Sequence, residues 1–114
     1  MSELDPTGQL SPEAIGALQL AKSAFLGAQS ERCGYLSVAI EPHSALGEVT
    51  VAARFTLRPR REWHQVDAFI PLADLEGGDP TASVTRAFRS LSDRIATIGI
   101  AQLFRPQGDV ARPG

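Results

Sequence analysis

Residues 47–72, GEVTVAARFTLRPRREWHQVDAFIPL, constrain the fold more than any other stretch of the chain. Val49, Val51, Ala53, Phe55 and Leu57 alternate with Thr50, Ala52, Arg54, Thr56 and Arg58. Beyond Pro59-Arg60-Arg61-Glu62, residues Val66, Ala68, Ile70 and Leu72 alternate with Trp63, Gln65, Asp67 and Phe69. A period of two sends successive side chains to opposite faces of a strand, so each arm has one apolar and one mixed face. The two arms read as a β-hairpin closed by a four-residue turn, with Pro59 supplying a fixed φ. Placing Arg58 opposite Trp63 predicts Phe55 beside Val66, Ala53 beside Ala68, Val51 beside Ile70 and Arg54 beside Asp67. A slip of one residue would carry apolar side chains to the wrong face. Pro71 lacks a ladder donor, so pairing ends there or that strand is an edge.

The flanking segments complete a simple order. Ser11-Pro12-Glu13 combines an N-cap residue, a proline at the first helical position and an acid in the first turn, which predicts a helix over 12–29. Ile15, Leu18, Lys22, Phe25 and Leu26 fall near one stripe of it, with Lys22 read as a snorkelling side chain. Residues 33–41 alternate again, with Leu36, Val38 and Ile40 on one side, and Pro42 is expected to end that strand. Pairing Glu41 with Glu48 would set like charges opposite each other, which disfavours that register. Glu76-Gly77-Gly78-Asp79-Pro80 is the strongest breaker, after which Asp79 caps and Pro80 opens a second helix. Val84, Phe88, Leu91, Ile95 and Ile98 recur there at helical spacing, and Gly99 is read as its stop. Residues 100–104 fit either a short strand or a helical continuation. The expected fold is α+β: a two-layer α-β-β-β-α arrangement, a three-stranded antiparallel sheet with two helices on one face. The domain is expected over 11–104, between a flexible leader, 1–10, and a flexible tail, 105–114.

Composition bounds the function. With 114 residues, 43% hydrophobic and 21% charged, the chain suits one globular domain. Its formal net charge of −2 argues against a general duplex-binding role. No apolar run approaches the ~18 residues of a membrane span. The acidic start MSELD lacks the features of a secretory signal, and a single cysteine, Cys33, cannot form an internal disulfide, so a cytoplasmic location is expected.

If both helices cover the apolar face, the other face carries Tyr35, Arg54, Arg58, Trp63, Gln65 and Phe69, with Asp67. Aromatic residues and arginine are the types enriched at the centres of interfaces. The leading expectation is a small protein-binding module of the adaptor, immunity-like or phage-type inhibitor class, with this face binding a partner or a second copy of the chain. The alternative is a nucleic-acid-binding module in which Arg58, Arg60 and Arg61 touch phosphates and Trp63 stacks on bases. A third is an enzyme whose site forms between subunits.

The helix–three strands–helix order also resembles the double-stranded RNA-binding domain in topology. Such domains are similar in carrying a Lys-rich start to the last helix, where this chain has Asp79-Pro80-Thr81-Ala82-Ser83-Val84-Thr85, and the resemblance is not adopted. No catalytic, metal or cofactor site is expected. Cys33, His43 and His64 lack zinc spacing, and Ser37, Ser44 and Ser83 sit in no nucleophile elbow. The Gly77-Gly78-Asp79-Pro80 turn lacks the lysine of a phosphate loop. His64 is read as a half-buried, hydrogen-bonded side chain.

Overall fold

The computed structural model describes residues 10–77 and 79–104. Helix α1 (Pro12–Gln29) opens as its cap signals require: Ser11 Oγ accepts from the Ala14 backbone N–H at 3.1 Å, with Pro12 in the first turn. Strand β1 (Cys33–His43) follows, then a 3-10 turn (Ser44–Leu46), β2 (Glu48–Leu57), β3 (Trp63–Pro71), a short helix α2 (Leu72–Glu76) and the long helix α3 (Pro80–Phe104). The strands form one antiparallel sheet in the order β1-β2-β3. The expected α+β class and strand count hold, and apart from Leu10 the leader expected over 1–10 and the tail expected over 105–114 lie outside the described residues.

The core lies between the helices and the apolar face of the sheet. Phe55, Leu91 and Ile95 are 0% exposed, Ile70 is 1% and Phe88 is 6%, so the apolar strand face and the α3 stripe read from the sequence meet at the centre of the core. Phe88 of α3 meets Phe25 of α1 with ring centroids 5.4 Å apart. Gln29, at the end of α1, is buried beside them, and its amide nitrogen donates to Ser92 Oγ of α3 at 3.1 Å. Leu10, the residue before the helix cap, was expected in the leader but joins the core.

Several expectations are corrected. The hairpin keeps its faces but shifts its register by two residues: Phe55 pairs with His64, Ala53 with Val66, Val51 with Ala68 and Val49 with Ile70. Arg54 therefore stands opposite Gln65 rather than Asp67, and Trp63 opposite Thr56 rather than Arg58. The turn starts earlier than expected, with the Arg60 N–H donating to the Leu57 carbonyl at 2.7 Å and Pro59 joined through a cis peptide. Arg58 lies inside that turn and outside the β2–β3 ladder, and its N–H donates to the Arg32 carbonyl at 2.9 Å. Pro42 does not end β1 but pairs with Val49; on an edge strand its missing N–H costs the ladder nothing. Glu41 stands opposite Thr50, so the like-charge pair is avoided.

Two helical features went unread in the sequence. Residues 72–76 form α2, which delivers Leu75 to the core at 1% exposure. Gly99 does not stop α3, which runs to Phe104. Its backbone is not left-handed, and three residues later Gln102 is anchored to the hairpin. Among the described residues the one glycine with positive φ is Gly47, at +68°, where the chain turns into β2 and its carbonyl accepts from the Leu72 N–H.

Candidate functional site

The face of the sheet opposite the helices is covered by no described element. Its residues follow from the register in rows across the strands: Tyr35, Thr56 and Trp63; Ser37, Arg54 and Gln65; Ala39, Ala52 and Asp67; Glu41, Thr50 and Phe69. The first row is the most built. Thr56 is short and buried, so the rings on either side close over it, with Tyr35 and Trp63 in edge-to-face contact at 4.8 Å and 67°. The Thr56 hydroxyl accepts from the Tyr35 N–H at 3.1 Å, inside the bulge at Cys33–Tyr35. Gly34 makes this approach feasible, since a Cβ there would stand 3.0 Å from that hydroxyl.

Arg54, one row further in, lays its guanidinium over the Trp63 ring at 5.2 Å from the centroid. This is the partner expected of Arg58; the two-residue shift hands it to Arg54. Arg58 instead donates from Nη1 to the Glu31 carbonyl at 3.4 Å. Gln65 donates to Asp67 Oδ1 at 3.1 Å along the same strand. Phe69 is 57% exposed, but six residues from Trp63 along β3 it stands roughly 20 Å away. Small side chains, Ser37, Ala39 and Ala52, lie between the two aromatic ends. Tyr35, Arg54, Trp63, Gln65 and Phe69 thus share a face as expected, Arg58 lies outside the ladder, and only Tyr35, Arg54 and Trp63 form a cluster.

The turn arginines do not converge on Trp63. Arg58 and Arg60 line a groove beside the last turns of α3, while the Trp63 ring packs with Tyr35 and Arg54 on the open face. Arg32, Ile100 and Leu103 line the same groove and were not singled out from sequence. Reading the helix through Gly99 would have pointed to Ile100 and Leu103, because positions 96, 100 and 103 then continue one apolar stripe; nothing local marks Arg32.

His64 faces the helices. It stacks on Phe55 at 5.4 Å, and its Nε2 lies 2.9 Å from the Gln102 amide nitrogen, which also donates to Glu62 Oε1 at 3.3 Å. Cys33 is buried, and burial raises its thiol pKa against the weaker opposing pull of Arg32 and Arg58, the reverse of what a nucleophile needs. His43 and Glu41 sit 4.0 Å apart on the exposed end of β1. Among the described residues no three His, Cys, Asp or Glu side chains group to hold a metal ion, and no helix is long and apolar enough to cross a membrane.

No protein-family model matches the chain, and neither a curated protein nor a solved structure matches it significantly.

Proposed function

We propose that the chain is a cytoplasmic protein-binding module, of the adaptor, immunity-like or inhibitor class, that docks through the open face of its sheet. One observation supports this reading above the others. Tyr35 and Trp63 are packed on each other yet 51% and 52% exposed, on a face that no described element covers. A rigid aromatic pair has little conformational freedom left to lose on binding, and burying it returns ~25 cal/mol per Å2. Between Trp63 and Phe69 the same face carries small side chains on β1 and polar ones, Gln65 and Asp67, on β3, so an aromatic cluster and a separate aromatic side chain flank a polar middle that a helix or a second sheet could span. A second copy of the chain is one candidate partner.

The test is affinity capture from the native cell with the wild-type chain and with Trp63→Ala. A specific partner is expected with the wild type. A central aromatic anchor contributes ~2 kcal/mol, so the variant should bind about thirtyfold more weakly while keeping its circular dichroism spectrum. Equal capture by both chains would sink the sheet-face reading. A nucleic-acid role predicts a different pattern: labelled RNA or DNA would shift in a salt-dependent way, and Arg61→Ala, on the exposed turn, would flatten that dependence.

A further inference from the structure

A groove of about 540 Å3 opens between the β2–β3 turn, the start of β1 and the last turns of α3. Leu57 is buried at its base, while Ile100 and Leu103 form a wall and remain 56% and 82% exposed. Opposite this apolar wall the lining carries three guanidinium groups from two separate segments: Arg32 ahead of β1, and Arg58 and Arg60 in the turn. Among the described residues none of the three is ion-paired, and the side chain of Arg58 reaches only the Glu31 carbonyl. Three arginines against one carboxylate, that of Glu31, leave this lining positive on a chain whose formal net charge is −2.

We propose that this groove is a second docking site and that it takes an acidic, apolar segment of a protein partner. Carboxylates of the segment pair with Arg32, Arg58 and Arg60, and its apolar side chains cover Leu57, Ile100 and Leu103. Charge complementarity selects the acids, and guanidinium groups bind carboxylates through paired hydrogen bonds. The openness of the wall selects a polypeptide over a small molecule. A small-molecule site encloses most of its ligand, whereas Leu103 stands almost wholly in solvent and needs a chain-sized occupant to cover it. An apolar helix stripe meeting such a segment is a recurrent recognition mode. The groove's lining includes none of Tyr35, Arg54, Trp63, Gln65 and Phe69, so the two sites stand or fall separately.

The test pans a displayed library of short random peptides against the full chain and re-measures a recovered peptide, fluorescein-labelled, against variants. Recovered peptides should be rich in Asp and Glu interspersed with Leu, Ile or Phe. Affinity at low salt should fall about tenfold or more for the double variant Arg32→Glu/Arg60→Glu and for Leu103→Glu, with the charge effect shrinking at high salt. Trp63→Ala should bind the peptide unchanged. Leu103 and Arg32 are exposed and Arg60 is partly so, and circular dichroism checks that each variant folds. Peptides without an acidic excess, or equal binding by the groove variants, would overturn the proposal. So would loss of binding only in Trp63→Ala, which would assign the peptides to the sheet face. Sodium dodecanoate binding in the groove where no peptide is selected would also overturn it, in favour of a small amphiphilic anion.

Discussion

Phe88 is buried, and its ring joins α3 to α1 through Phe25. Phe88→Ala removes that bridge and leaves a cavity, so it should cost about 3–5 kcal/mol. A urea midpoint left unchanged would show that α3 does not pack as described. Gln29 and Ser92 join the same two helices with a hydrogen bond, while Gln29 Oε1 is buried with no hydrogen-bond partner among the described residues. Cys33 gives a pH dependence with a definite sign. Burial raises its pKa in the folded state, so the native chain holds the thiol proton more tightly than the unfolded chain does. Stability is then fully present below the unfolded value of about 8.5 and is lost as pH rises through the raised native value. Urea midpoints measured on either side of that window should fall more for wild type than for Cys33→Ala. Parallel falls would mean that the thiol ionises in place without cost.

Glycines test the elements. Gly99 lies inside α3 without positive φ, and a Cβ there would meet Leu57 Cδ1 at an ordinary 3.9 Å. Gly99→Ala should therefore stabilise the protein by about 0.5–1 kcal/mol, through helix propensity and a less free unfolded chain. Destabilisation in a thermal melt would instead restore Gly99 as a helix stop. Gly34 predicts the opposite sign. Its added Cβ would press on the Thr56 hydroxyl at 3.0 Å and disturb the bond to the Tyr35 N–H, so Gly34→Ala should cost about 1–3 kcal/mol. A loosened bulge should also alter the near-ultraviolet signal of the Tyr35–Trp63 pair, which provides a second readout. At the edge of the sheet, Arg94 of α3 donates to the Asp67 carbonyl of β3, which occupies a strand edge that could otherwise pair with another chain.

For the whole molecule, the sheet face that no described element covers is where the proposed partner would dock. Trp63→Ala should cost the isolated chain only ~1 kcal/mol, the scale of one aromatic pair, because half of the side chain is already in water. If a second copy is the partner, the wild-type melting temperature should rise with protein concentration and that of Trp63→Ala should not. Unfolding by Trp63→Ala alone would show a core role instead. Much of this architecture is legible in the residues themselves. Alternation sorts Val49, Val51, Ala53 and Phe55 from Thr50, Ala52, Arg54 and Thr56, and Ser11-Pro12 and Asp79-Pro80 mark both helix starts, because periodicity and capping are local. The register is not local. A shift of two residues preserves every face, so the pattern that forbids a slip of one is blind to it, and the choice is made by which turn closes, here with the Arg60 N–H on the Leu57 carbonyl, and by tertiary contacts such as that of Gln102 with His64. The same shift decides that Arg54, and not Arg58, covers Trp63. Continuation of α3 past Gly99 is likewise held by Gln102 against His64 and Glu62, residues about forty positions away in the chain. Only that continuation brings Ile100 and Leu103 to the arginines of the turn. A chain specifies its periods and caps residue by residue, but which partner each side chain meets is chosen among near-equal pairings by contacts that exist only once the chain has folded.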